Sequence, residues 1–512
     1  MLAFLPPSRF NAWNGLQRGL SAPRATISRL HLRYYCSVAS FYVQNFGCRA
    51  TQADGAAIER QFRERGMARA DAPSRAEIVV LNTCTVTASA DQDSRAAIRR
   101  IHRENPGCQI VVTGCYAQRA PEEIAALPGV SRVIGNSHKH VLAEIAAGNS
   151  SFVPVSQLKA NDQRPATRDG IFVSDIFAHT ELLAAPVFDA ANERTRPNLK
   201  VQDGCDNRCS FCVIPYVRGQ SRSLPLPQIL REVNTLVTSG YREIVISGIN
   251  LGRWGRDLAV SHQPSAIRIN RQLPEPGQQP TTHDQRPFFE DLIRAILTET
   301  SLEKLRISSV EPMDWSDHLI RMMAESTRIA KHAHVPMQSG SDRVLRLMRR
   351  KYRPWHYREK IEKIHAAMPT AAIGADVMVG FPGENDADFE ETRRLIDDLP
   401  FTYLHVFTYS ARPGTPAAAM PNQVSIHVAR ERNQILRTLA AEKKEAFMRT
   451  FVEKQVNAIT LNTMHHGPDG DFTEALTDNF LKLRLAGRHE ANLWVKAQVD
   501  EVMDGMLVSR MC

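Results

Sequence analysis

Residues 201–220 read VQDGCDNRCSFCVIPYVRGQ. Three of the chain's nine cysteines, Cys205, Cys209 and Cys212, stand there in a C-x3-C-x2-C spacing with no fourth thiol beside them. Three thiolates can hold zinc, but a structural zinc site takes a fourth protein ligand. Zinc ribbons come as two C-x2-C pairs, which this chain lacks. Three thiolates can also hold a [4Fe–4S] cluster, which normally takes four cysteines. One iron is then left open to a small molecule.

The stretch follows the strand-like run RPNLKV, and similar runs recur as REIVISGIN (242–250), KLRISSVEP (304–312), HAHVPMQ (332–338), GADVMVGFPG (374–383) and YLHVFTYS (403–410). Helical patterns such as DRVLRLMRRK and DADFEETRRLIDDL fall between most of them. The expected fold is α/β, with residues 196–445 forming a partial (β/α)6 barrel whose working face is the C-terminal rim of its strands. Residues 261–287, with five prolines and no apolar period, read as a surface insertion.

A second strand–helix series precedes the barrel over residues 41–150. SFYVQNFGC, AEIVVLNTCTV and CQIVVTGCYAQ read as strands, and TQADGAAIERQFRERGM and DQDSRAAIRRIHREN as helices. This alternation predicts a parallel sheet, where sites form beyond the carboxyl ends of the strands. Cys48, Cys84 and Cys115 each lie just past such an end, 36 and 31 residues apart. Residues 151–195 are polar and irregular and read as a linker. Residues 450–512 alternate apolar and polar side chains, with Leu493, Val495, Ala497 and Val499 on one face, and predict a small antiparallel β-barrel.

Composition narrows the class. At 512 residues the chain can bury several cores. No apolar run approaches the ~20 residues of a membrane helix. Sixty-four Lys and Arg against 55 Asp and Glu allow a polyanionic partner without requiring one. Clustered cysteines in a chain of this length point to metal rather than a disulfide scaffold. Residues 1–40 hold five Arg and no Asp or Glu. They read as an extension outside the fold, with organellar targeting as the alternative.

The cysteine run and its position after the first barrel strand resemble the radical S-adenosylmethionine (SAM) superfamily. From Phe41 onward the chain resembles its methylthiotransferase family. The matching blocks are NFGCRATQAD, NTCTVT and TGCYAQ, then GCDNRCSFCVIPYVRGQSRS, ISGINLG, SSVEP, VPMQSGSDRVLRLMRRKY, GFPGE and YSARPGTPA. The final segment is similar to the family's RNA-binding TRAM barrel. The resemblance implies a transferase acting in tRNA processing with two [4Fe–4S] clusters. Cys205, Cys209 and Cys212 would hold one and bind SAM through its open iron for reductive cleavage. Cys48, Cys84 and Cys115 would hold the other and carry the methylated sulfur. Gly248, Asn250, Gln338 and Asp376, at expected strand ends, would line the SAM pocket; ordinary barrel and turn structure is the alternative.

The family acts on isopentenyladenosine or threonylcarbamoyladenosine in tRNA, or on an aspartate of a ribosomal protein. NTCTVTASADQDSR looks like the threonylcarbamoyl branch. The implied reaction is therefore methylthiolation at C2 of N6-threonylcarbamoyladenosine at position 37 of a tRNA anticodon stem-loop. Isopentenyladenosine and a noncatalytic iron–sulfur RNA-binding protein are the alternatives. An unnamed one-electron donor is implied, and the expected location is the cytoplasm, or an organelle matrix if residues 1–40 are a transit peptide. Cys36, Cys108 and Cys512 are not placed like ligands. His332 and His334 read as barrel packing rather than a metal pair.

Overall fold

A computed structural model describes residues 39–148, 170–178, 195–258, 286–467 and 470–512. The expected extension (with Cys36), most of the 151–195 linker and nearly all of the 261–287 insertion lie outside the described residues.

The first layer is a parallel sheet of β1 (Ser40–Asn45), β2 (Ala68–Arg69), β3 (Ile78–Thr83), β4 (Gln109–Gly114), β5 (Val130–Ile134) and β6 (Ile171–Phe172), ordered β2-β1-β3-β4-β5-β6. Its central strand IVVLNT is buried throughout, as a parallel strand covered on both faces must be. Helices α1 (Arg49–Glu64), α2 (Ala88–Glu104), α3 (Cys115–Arg119), α4 (Pro121–Ala125) and α5 (Leu142–Ala146) cover it. In α1, Ala50, Ala53, Ala57, Ile58 and Phe62 form the buried stripe. Thr87 caps α2 by accepting the Ala90 N–H. Two expected boundaries move. Ser40 already belongs to β1, and residues 171–172, expected in the linker, add β6 through pairing with Val133 and Ile134. A two-residue strand is too short to show a period, so its neighbour's free edge recruits it rather than its own pattern.

The second layer holds β7 (Asn198–Lys200), the short pair β8 (Gln202–Asp203) and β9 (Arg222–Ser223), then β10 (Glu243–Ser247), β11 (Lys304–Ile307), β12 (His332–His334), β13 (Ala372–Val379) and β14 (Tyr403–Thr408). All six expected barrel strands are present. They run parallel in two halves, β11-β10-β7 and β12-β13-β14. The halves meet at the Leu305–Ile329 bridge and the Val310 N–H to His334 carbonyl bond. Pro336, lacking an N–H, helps keep β12 short. The outer face is apolar: Ile244, Ile246, Leu305, Ile307, Ala333, Ile373 and Ala375 share one core. Helices α6 (Ile214–Arg218), α7 (Leu226–Thr238), α8 (Phe289–Glu299), α9 (Asp317–Glu325), α10 (Asp342–Leu347), α11 (Pro354–Ala367), α12 (Asp386–Asp398) and α13 (Ile426–Arg449) surround the sheet. The alternate residues Glu243, Arg306, His332, His334 and Asp376 face the lumen, which is polar.

Helix α13 runs four residues past the expected barrel end at 445, and Met448 and the following Phe451 join the core of the last domain. That domain is a closed barrel, β15 (Gln455–Gly467), β16 (Gly470–Thr477), β17 (Lys482–Ala486), β18 (Trp494–Met503) and β19 (Met506–Met511), in the order β15-β16-β17-β19-β18. It seats against the N-terminal ends of the partial-barrel strands. Arg306 donates to the Asp478 and Thr477 carbonyls at 3.1 and 3.3 Å, and Phe480 packs on His332 with ring centres 4.6 Å apart. His332 also bonds Tyr403 at 2.6 Å, so it packs the barrel floor. Among the described residues no helix is long and apolar enough to cross a membrane.

Candidate functional site

β1, β3 and β4 lie side by side and end at Asn45, Thr83 and Gly114, so Cys48, Cys84 and Cys115 just beyond them fall in one place. Gly47 has φ +96°, and a Cβ there would lie 2.5 Å from Cys84 Cβ and 2.8 Å from its Sγ. Only glycine lets the Cys48 turn approach Cys84 this closely. Burial first, and then the neighbouring Cys115, push the Cys84 thiol up to about 12; Cys48 adds to this and Arg218 opposes it. The three thiols therefore share one electrostatic neighbourhood.

Cys205, Cys209 and Cys212 form the second triad, on the loop between β8 and α6. Burial, with Cys209 and Cys205 adding to it, pushes Cys212 up to about 12. Donors surround these sulfurs. The Asn207 N–H reaches Cys205 Sγ at 3.4 Å, Asn250 Nδ2 the same atom at 3.7 Å, and Arg350 Nη1 reaches Cys209 Sγ at 3.2 Å. Arg350 is itself held by Glu311.

The two triads lie at opposite ends of α6. It starts two residues after Cys212, and its Val217 packs with Cys115 and Val213. Asn136 joins the same contact, donating to the Val217 carbonyl at 2.7 Å and to Cys115 Sγ at 3.7 Å. The N-terminal domain is also tied to both edges of the open barrel. On the β14 side, Arg412 bonds Thr85 at 2.9 Å and pairs with Asp91, which Arg119 also holds at 3.0 Å. On the β7 side, Asp54 of α1 pairs with Lys139, Lys200 and Arg218, and Asp203 pairs with Lys200 and Arg218. All five side chains are buried. Burial alone would raise the Asp54 carboxyl, but Lys139, Lys200 and Arg218 hold it well below the usual carboxylate range.

Of the expected rim residues, Gly248 and Asn250 stand beside the second triad. Gln202 Oε1 accepts the Asn250 N–H at 2.7 Å, and a Cβ on Gly248 would meet that oxygen at 2.8 Å. Gln338 and Asp376 lie on the other half of the sheet, joined by the Gln338 N–H to Asp376 carbonyl bond at 2.8 Å. Gln338 has φ +65°. His334 bonds Ser309 at 2.7 Å and faces Asp376 at 3.5 Å. Cys108 sits half-buried in the turn before β4, and Cys512 is exposed at the end. Sequence reading missed the Asp54 network, Arg350 and Asn136. Asp54 and Lys200 were findable as charges on otherwise apolar faces; Arg350 was hidden in the run MRRKYR.

The donor sets fit [4Fe–4S] clusters. Each is three convergent soft sulfurs, the second one ringed by N–H donors, and Asn250 Oδ1 is buried without a partner beside Cys205.

Comparison with known proteins agrees. Residues 199–396 match the Radical SAM superfamily, and residues 40–135 match the uncharacterized protein family UPF0004. Threonylcarbamoyladenosine tRNA methylthiotransferase MtaB of Bacillus subtilis is 33% identical over 454 residues, covering 88% of this chain and 92% of the relative. The protein of the same name in Aquifex aeolicus is 31% identical, covering 89% and 99%. A tRNA-2-methylthio-N(6)-dimethylallyladenosine synthase of Novosphingobium aromaticivorans is 34% identical, covering 82% and 86%. With both cysteine triads in place and the likeness running almost from end to end, the chain belongs to the radical SAM methylthiotransferase family.

Proposed function

We propose that this enzyme places a methylthio group on C2 of N6-threonylcarbamoyladenosine at position 37 of tRNA. The observation that carries the reaction is the pair of three-cysteine sites at the two ends of α6. When bound, the clusters supply an electron and open iron positions, for cleaving SAM at one site and handling sulfur at the other. The chain's own groups do the holding. Arg350 and Asn250 fix and electrostatically support the Cys209 and Cys205 sulfurs, and Asn136 supports Cys115. Gly248, Asn250, Gln338 and Asp376 are the proposed SAM contacts at the rim. The closed C-terminal barrel is the proposed RNA-binding domain of TRAM type, and the basic balance supports phosphate contacts.

Identity alone does not choose the nucleoside, because relatives named for each lie within a few per cent of one another. The Cys84 loop NTCTVTASADQDSR supports the threonylcarbamoyl branch. The test is nucleoside mass spectrometry of bulk tRNA from cells with and without the gene. The expected result is loss of the methylthio mark from threonylcarbamoyladenosine alone. Loss from isopentenyladenosine, or no change in either, overturns the reading.

Gly47 gives a separate prediction. In Gly47→Ala the new methyl strikes Cys84, so the N-terminal cluster fails to assemble while the barrel triad is untouched. Reconstituted protein should then carry about half of the wild-type iron and sulfide. Full iron loading would show that the Cys48 turn can relax.

A further inference from the structure

A cavity of about 330 Å³ opens where the three domains meet, within the size range of ligand pockets. Arg49, Arg196, Asn198 and Val245 line it from the sheet side, and Asn462 and Thr463 from the C-terminal barrel. Arg49 directly follows Cys48, so this wall adjoins the N-terminal triad. Val245 pairs with Asn198 and faces the lumen, since its neighbours Ile244 and Ile246 belong to the outer core. Residues 461–463 fall where the β15–β16 register skips from Thr460 to Met464. Such a bulge re-aims side chains, here at the cavity.

The cavity is cationic. The Arg49 charge reaches across the lumen and helps lower the pKa of His332 and His405, both already lowered by burial. Burial lowers Arg196 to about 10; Glu243 opposes the shift, and Arg306 and Arg49 add to it. Among the described residues, the Glu243 carboxylate acts on Arg196, and Asp376 acts on His405 and Tyr403. Glu243 is already shared by Arg306 and Arg196, and Asp376 stands by His334. Asn198 donates to the Arg49 carbonyl at 2.9 Å, while its Oδ1 is buried with no donor facing it. The cavity thus offers positive charge and one fixed acceptor. An apolar dimethylallyl group satisfies neither. A threonylcarbamoyl arm brings a carboxylate together with N–H and O–H donors.

Resting on the threonylcarbamoyl reading above, we propose that this cavity is the specificity subsite for the substrate's N6 arm, with Arg49 receiving the threonyl carboxylate and Asn198 Oδ1 accepting one of its N–H or O–H groups. The polar pairing favours one nucleoside and penalises the other, which would leave buried polar groups unmatched.

The test compares anticodon stem-loops carrying threonylcarbamoyladenosine or plain adenosine at position 37, by Kd and by methylthio product, using the reconstituted full chain. Wild type should bind the threonylcarbamoyl stem-loop at least about 10-fold tighter, the scale of one charge-assisted hydrogen bond. Arg49→Gln should erase that preference with iron content unchanged, and Arg49→Lys should restore part of it. Should Arg49→Gln lose iron through its closeness to Cys48, Asn462→Glu serves instead. That exposed substitution places a repelling carboxylate at the cavity and should also cut the preference. Equal wild-type affinity for both stem-loops overturns the proposal. So does equal weakening of both by Arg49→Gln, which would mark a phosphate contact. A preference that depends on Arg49, with no methylthio product from wild type, upholds the subsite and overturns the reaction instead.

Discussion

Cys209→Ala will abolish 5′-deoxyadenosine release, whereas Cys48→Ala will retain it and lose only the methylthio product. Both follow from placement. Cys209 is central in its triad, and its sulfur takes the Arg350 donor at 3.2 Å. Removing it leaves two thiols, too few to hold a cluster with a single open iron. Cys48 sits in the other site, beyond α6, and its loss leaves Cys205, Cys209, Cys212 and Asn250 as they are. Liquid chromatography with mass detection on reduced, reconstituted protein reads both products in one reaction. Cleavage at background in Cys209→Ala and near wild type in Cys48→Ala, with methylthio nucleoside at background in both, is the expected pattern. A wild type that gives no 5′-deoxyadenosine would instead match a noncatalytic binder.

This division of labour was legible in the sequence because it depends on local spacing. C-x3-C-x2-C needs one loop, and three strand-end cysteines need only a parallel sheet. The six barrel strands were legible for the same reason, since each puts apolar residues on one face and helical patterns fall between most of them. What stayed hidden depends on distance. Asp54 lies 146 residues from Lys200, and Arg412 lies 327 residues from Thr85. Nothing local marks such partners; each shows only as a charge out of place on a buried face. The polar lumen was hidden for a different reason. Residues such as Glu243 and Arg306 alternate with apolar neighbours as they would on a solvated sheet face. Only the C-terminal barrel, which takes Arg306 on its Asp478 and Thr477 carbonyls, turns that face into an interior.

The Asp54 network gives the largest expected effect on stability. Asp54 is 1% exposed and holds three cations from both domains. Asp54→Ala leaves Lys200 and Arg218 with Asp203, but leaves Lys139 with only Asn82 Oδ1 at 3.4 Å. Removing one partner of a buried ion network costs about 3–5 kcal/mol, because the remaining charge has no water to turn to. Lys139 limits that cost by shedding its proton, since burial already pulls its pKa down while Asp54 holds it up. The pH dependence then has a definite sign. In wild type the Asp54 pKa is depressed, so its contribution is complete above the ordinary carboxylate value of ~3.9 and is lost as pH falls toward the folded value. In Asp54→Ala the depressed group is Lys139, and the folded state binds fewer protons than the unfolded one below the lysine value of ~10.4. The variant's deficit should therefore shrink as pH rises from about 7 to about 9, because in wild type Asp54 holds the Lys139 pKa higher and the same gain is smaller there. Anaerobic thermal melts at both pH values measure it. A variant that melts with wild type at pH 7 would show that water enters the interface and solvates the freed charge, and that the two domains are held by packing alone.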